Sequence, residues 1–178
     1  MRKSSQVFFV ALLVFALTLS NPSVSYAKQD VPNTSITVTV NQLNCSSGGG
    51  AGTFAVSAFS FGATNTGTTS GGGGGAGKAN ISDLNVSKAF SECSPAIFGA
   101  VVTGKHFPAA KLVHADANGN PVLTIELQDV LISSYSIGGT AGPDVPIENV
   151  SFNFVKICIT DSAMNTKLCW DQAAQKIG

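Results

Sequence analysis

Residues 71–87 read GGGGGAGKANISDLNVS, and two fold classes part on them. From Gly72 the spacing G-x-x-x-x-G-K of a phosphate-cradling loop is met, closing on Gly77 and Lys78. Ala79, however, stands where that motif supplies a Ser or Thr hydroxyl to Mg²⁺. Residues 80–87 are strand-like, whereas a phosphate loop must open a helix whose first N–H groups and positive dipole end face the phosphates. Nucleotide binding is excluded on both grounds. The stretch reads instead as the glycine-rich end of a long loop entering a β-strand.

Outward from this point, strand signals dominate. Ile36, Val38 and Val40 alternate with Ser35, Thr37 and Thr39, the pattern of a half-buried strand. Residues 54–61 form a second β-rich segment, with Phe54 and Val56 on one face and Phe59 and Phe61 on the other. Residues 44–52 read as loop, and 62–77 as a flexible Gly/Thr/Ser extension. Ser94 and Pro95 read as the N-cap and first position of a helix. Ile97, Phe98, Val101 and Val102 then share one helical face, and Gly104 ends the helix. Residues 111–115 and 122–127 are strands joined by a turn over 116–120, with Leu123, Ile125 and Leu127 inward. Residues 130–137 continue as β and 138–148 as a Gly/Pro loop. Residues 149–160 form a long strand, and 167–172 its shorter partner. Many strands, frequent turns and one helix predict a mainly β architecture, closed or sandwich-like, without Rossmann-type alternation.

The N-terminus reads as a secretory signal. Arg2 and Lys3 precede an apolar run over 7–19, and Ser25 and Ala27 are small residues at the positions a signal peptidase reads. That run is too short to span a bilayer comfortably, so residues 1–27 are set apart and 28–178 are expected to fold as one domain, with no stable membrane insertion after cleavage. Without Arg2 and Lys3, 8 basic residues face 10 acidic ones, a balance that argues against a nucleic-acid partner.

Cys45, Cys93, Cys158 and Cys169 all lie after the signal, and an exported chain with an even cysteine count predicts two disulfides. Sequence alone allows three connectivities for 4 cysteines. Geometry favours one. If residues 161–166 turn, Thr160 faces Lys167, Ile159 faces Leu168 and Cys158 faces Cys169, close enough to bridge. Cys45 and Cys93 then pair by elimination. Chain-entropy arithmetic gives each bridge about 3–4 kcal/mol.

Catalytic chemistry is sparse. His106 and His114 are the only histidines, and Pro108 between them removes a shared helical metal face. His106 is expected to hydrogen-bond backbone near the helix end and His114 to face solvent. Cys93 lies near a helix N-terminus, which lowers a thiol pKa, but a disulfide is the stronger reading in an oxidising compartment. No nucleophile elbow, H-E-x-x-H or acidic metal cluster is present, so no catalytic, cofactor-binding or metal-binding residue is assigned. The sequons at Asn33, Asn44, Asn80, Asn85 and Asn149 are put down to a chain rich in Asn, Ser and Thr.

Four segments, in order and spacing, carry a resemblance to the Hcp family of type VI secretion tube proteins. The first is the glycine run through Lys78 with Ile81-Ser82-Asp83-Leu84. The second is Ser94-Pro95 with its helix and then Thr103-Gly104-Lys105-His106-Phe107-Pro108. The third runs from Leu127-Gln128-Asp129 to Gly138-Gly139, and the fourth is Glu148-Asn149-Val150-Ser151-Phe152-Asn153-Phe154. The resemblance covers the chain from about Ile36 to Ile159. It implies a small β-barrel of two antiparallel sheets with one flanking helix, assembling into a hexameric ring. Such rings stack into a tube, carry effector proteins in a polar lumen and meet spike or sheath components. The implied role is structural, without a cofactor. In that setting Gly71, Gly72, Gly73, Gly74, Gly75, Gly77 and Lys78 are expected to form a subunit-contact loop, where backbone passes too close for a Cβ. The signal segment and the cysteines depart from the family pattern. They open an alternative: a Sec-exported Hcp-like binding protein, periplasmic or extracellular, acting outside the contractile machine.

Overall fold

The computed structural model describes residues 35–47, 50–67 and 77–178. Residues 1–27, read from sequence as a secretory signal, lie outside them. In chain order the elements are β1 (Ser35–Val40), β2 (Ser46–Ser47), β3 (Gly50–Ala51), β4 (Thr53–Val56), β5 (Ala58–Ser60), β6 (Ala63–Asn65), β7 (Ala79–Ile81) and β8 (Leu84–Ala89). Then come α1 (Ser94–Thr103), β9 (His106–Ala115), β10 (Pro121–Gly138), β11 (Ile147–Asp161), β12 (Thr166–Asp171) and β13 (Lys176–Ile177).

Antiparallel pairing runs from β4 through β1, β9 and β10 to β11. The first half of β11 pairs with β8, and β8 with β5. β5 continues β4 across Ser57, whose N–H donates to the Ser87 carbonyl at 2.7 Å. The circuit therefore closes into the barrel the sequence predicts, its two sheets joined into one nine-stranded sheet. Closure removes the open sheet edges that would otherwise invite aggregation. β12 and β13 are appended to the second half of β11, outside the circuit. β2–β3 and β6–β7 are separate ribbons.

The interior is filled from every wall: Val38, Phe54, Leu84, Val86, Phe107, Leu112, Ile125, Leu127, Phe152 and Phe154 are all buried. Strict alternation does not account for all of it. Leu127 and Val130 both face inward, as do Ala110 and Phe107 beside them and Ile157 and Phe154 on the other side. Each strand thus takes a three-residue step at one level. Asp129 lies in that line with φ 52°, a left-handed conformation that Asp tolerates better than bulky residues, and the three strands bend there together. Pro108 falls at the same bend, where a missing N–H is tolerated. On β4–β5 the break at Ser57 changes parity, so Phe59 and Phe61 pack on the same core as Phe54 and Val56 rather than opposite it.

Other expectations are corrected. The supposed loops at 44–52 and 62–77 contain the β2–β3 ribbon and strand β6. The helix begins at Ser94 with Cys93 before it, and Ser94 is not a side-chain cap. Its hydroxyl accepts from the Ser91 N–H outside the helix and joins a buried network instead. Gly104, at φ 61°, does end the helix, with its N–H bonded to Val101 O and that of Lys105 to Ala100 O. The buried face is Ser94, Ile97 and Ala100, which follow one another at three-residue spacing. Phe98 and Val102 lie turned away and are 53% and 63% exposed.

Candidate assembly surface and the buried polar cluster behind it

The glycine loop is approached by the β6–β7 hairpin. Thr66 and Lys78 tie it, the Lys78 N–H donating to Thr66 Oγ1 at 3.1 Å and the Thr66 N–H to Lys78 O at 3.3 Å. A Cβ on Gly77 would sit 1.9 Å from the Gly67 nitrogen, so this glycine is required by the backbone just past β6 in the same chain. Gly71, Gly72, Gly73, Gly74 and Gly75 lie outside the described residues.

At the end of the barrel near α1, apolar side chains stand without cover. Phe98 tilts against the Tyr135 ring at 5.7 Å, with Val102 one helical turn on. Ile137, Val145, Ile147 and Phe90 are also exposed. Pairing draws these together, since Ile147 lies opposite Ala89 and Gly138, and the Phe90 N–H bonds Pro146 O. Exposed apolar side chains gathered at one end of a barrel make that end a candidate contact surface.

Directly behind it lies a closed polar cluster. Lys88 and Glu148 are cross-strand partners on β8 and β11, at 1% and 0% side-chain exposure. Lys88 Nζ spends its three protons on Glu148 Oε2 at 2.5 Å, Ser94 Oγ at 3.0 Å and Ala89 O at 2.8 Å. Ser94 Oγ donates to Glu148 Oε2 at 2.8 Å, and the Tyr135 hydroxyl donates to Glu148 Oε1. The Lys88 ammonium also lies 5.7 Å from the Phe54 ring centre. Burial lowers the Lys88 pKa, with Glu148 acting against that shift. Desolvation, followed by the Glu148 carboxylate, pushes Tyr135 up to about 12. Every proton of the ammonium is satisfied, so the cluster joins α1, β8, β10 and β11 into one unit.

Another wall carries polar side chains, mostly Asn and Ser with the one carboxylate of Asp83 at its end. Ser151 Oγ donates to Asn85 Oδ1 at 2.6 Å, Ser87 Oγ to Asn149 Oδ1 at 2.7 Å, and Asn153 Nδ2 to Asp83 Oδ1 at 2.8 Å. Asn85, Ser87, Asn149, Ser151 and Asn153, exposed or half-buried, alternate with the buried Leu84, Val86, Val150 and Phe152 on the same strands.

The four cysteines form two bridges, Cys45–Cys93 and Cys158–Cys169. Cys158 and Cys169 face each other in register, flanked by Ile159–Leu168 and Thr160–Lys167. With Cys93 oxidised and wholly buried, no thiolate nucleophile stands at the helix start. His106 is exposed, and Lys105 rather than His106 makes the backbone bond near the helix end, to Gln42 O at 3.1 Å. His114 is half-buried, edge-on to Phe59 at 6.4 Å, rather than facing solvent. Among the described residues no three His, Cys, Asp or Glu side chains gather as a metal site, and no helix is long and apolar enough to cross a membrane. Sequence reasoning missed the Lys88–Glu148 pair. Its signal was the inward parity of Lys88 after Leu84 and Val86, and of Glu148 before Val150 and Phe152.

A closed antiparallel barrel with one flanking helix and exposed apolar side chains at one end defines a mainly β, barrel-class protein. Residues 44–160 match the family described as "Type VI secretion system effector, Hcp", and the chain belongs to that family. It is 44% identical over 83 residues to the protein Hcp1 of Pseudomonas aeruginosa, an alignment covering 45% of this chain and about half (51%) of that relative. Two solved structures share the fold. One is described as a type six secretion system protein, with TM-score 0.70 and 22% identity, covering 82% of this chain and 99% of the other. The second, Hcp1 from Salmonella typhimurium, has TM-score 0.69 and 20% identity, with the same coverage. A sheath–tube complex of an extracellular contractile injection system is also similar in fold, with TM-score 0.54 and 10% identity over 79% of this chain and 99% of that one.

Proposed function

We propose that the chain is an exported structural subunit that closes into hexameric rings, which stack and carry effector proteins in the lumen. The observation that carries this reading is the family match over residues 44–160, well over half of the chain. The uncovered apolar set of Phe98, Val102, Ile137 and Ile147 supports it, because a ring needs a head-to-tail interface and the isolated barrel leaves this one unpaired. The Asn/Ser wall of β8 and β11 suits the lumen, being polar and nearly uncharged, so that cargo is held without a fixed sign of charge. The role is assembly rather than catalysis. Spike or sheath components of a type VI machine are the corresponding partners.

A second reading has its own support. Two disulfides and the apolar run over 7–19 favour oxidative folding after export, so rings of this protein act in the periplasm or outside the cell, apart from a contractile machine. Electron microscopy of the purified chain 28–178 tests ring formation. Annular particles with sixfold averages support it, and a field of barrel-sized single particles at micromolar concentration counts against it.

A further inference from the structure

Strand β12 lies outside the barrel circuit. The barrel closes through β1, β4–β5, β8, β9, β10 and the first half of β11, and β12 pairs only with the second half of β11 and with the two-residue β13. Burial is slight over its first half, where Thr166, Lys167 and Leu168 are exposed and Leu168 is 54% so, while Cys169, Trp170 and Asp171 are half-buried. The Glu126–Lys167 ion pair at 2.6 Å is solvent-exposed and adds little. Besides the backbone ladder and Trp170, which packs against the core, a covalent tie holds β12 to β11, the Cys158–Cys169 bridge between directly opposed residues. The connection is a tight turn. Asp161 Oδ1 accepts from the Ala163 and Met164 N–H groups, and Asn165 is left-handed at φ 51°. Beneath β12 lies a six-residue stretch of β11 edge, residues 156–161, whose backbone groups β12 alone satisfies on that side.

We propose that the Cys158–Cys169 bridge is a latch that keeps β12 on its own barrel, and that opening it turns the β11 edge into a docking surface for β12 of a second copy. A dithiol supplies the chemistry. Its thiolate attacks one sulfur of the bridge to give a mixed disulfide. Its second thiol then closes on the first, leaving two cysteine thiols on the protein and a disulfide in the reductant. The turn over 161–165 then extends, and the released strand pairs with a neighbour's edge in the register it used at home. Strand exchange between identical copies loses no native pairing, which makes the second copy the fitting partner. The exchange does not depend on ring formation.

The test mixes two chains, Cys158→Ser and Cys169→Ser, each keeping Cys45–Cys93. Neither can form the bridge within itself. After mixing and mild oxidation, a covalent dimer joined by Cys158 of one chain and Cys169 of the other is expected as the main product, identified by non-reducing peptide mapping. Absence of that link, or like-with-like dimers alone, overturns the proposal. A second readout needs no substitution. In wild-type protein kept dilute enough to stay monomeric and treated with dithiothreitol until peptide mapping finds Cys158–Cys169 open, amides of residues 166–171 should exchange about tenfold faster or more, while Ile125 and Phe152 in the barrel keep their protection. Unchanged protection of residues 166–171 with the bridge open contradicts the latch.

Discussion

Lys88 and Glu148 face each other across β8 and β11, with Nζ 2.5 Å from Oε2 and neither side chain open to solvent. A buried pair of this kind gains little over apolar packing, yet breaking it strands a charge. Lys88→Met is therefore expected to cost about 3–5 kcal/mol, because Glu148 keeps a buried charge with only hydroxyl donors left. Lys88→Met with Glu148→Gln should cost less than the two single changes summed, since glutamine is neutral and still accepts from Ser94 and Tyr135. Urea unfolding of the three variants checks this. Additive losses would show that the pair is not coupled.

The same carboxylate controls Tyr135. Its hydroxyl is pushed up to about 12, first by desolvation and then by Glu148. A raised folded pKa means the native state holds a proton that the unfolded chain releases, so this contribution to stability is intact below about pH 10 and is lost as pH rises through about 12. The sequence has 2 tyrosines, and Tyr26 lies before residue 28. In the chain 28–178, tyrosinate absorbance thus reports Tyr135 alone. A midpoint near 12 is expected in folded protein and near 10 in urea, and coincident midpoints would contradict the buried cluster.

Two glycines carry steric demands within the chain. Gly52 has φ +71°, and a Cβ there would lie 2.3 Å from Val40 O. Gly52→Ala combines a left-handed backbone with a backbone clash, and a loss of about 2 kcal/mol or more is expected in thermal unfolding. Gly77→Ala should leave that transition nearly unchanged while opening the β6–β7 hairpin, read as faster amide exchange at Thr66 and Lys78.

The Cys45–Cys93 bridge closes a longer loop than Cys158–Cys169, with a sequence separation of 48 against 11. Replacing Cys45 and Cys93 together by serine is expected to cost about 4 kcal/mol, against about 3 for the other pair. Comparing unfolding midpoints of the two double variants gives the order. The reverse order would mean that native-state packing, not loop entropy, sets their worth.

Much of this architecture was legible locally. Alternation around a turn was enough to oppose Cys158 and Cys169, and Gly104 marked the helix end by chemistry of its own. What escaped reading depends on distant partners. Lys88 and Glu148 are 60 residues apart, and only the β8–β11 register turns two inward polar residues into a satisfied pair. Phe98 and Val102 look like core in one dimension, because helical spacing cannot say which apolar stripe meets the barrel. The shared bend at Pro108, Asp129 and Val155 required three strands to be aligned before it existed at all.

Assembly through the uncovered apolar end is the central claim, and solution mass tests it most directly. Native mass spectrometry of the oxidised chain 28–178 is expected to give a hexamer, and Phe98→Asp with Val102→Asp a folded monomer with both disulfides retained. A wild-type chain that stays monomeric at high micromolar concentration, or a hexamer indifferent to both substitutions, would contradict the account.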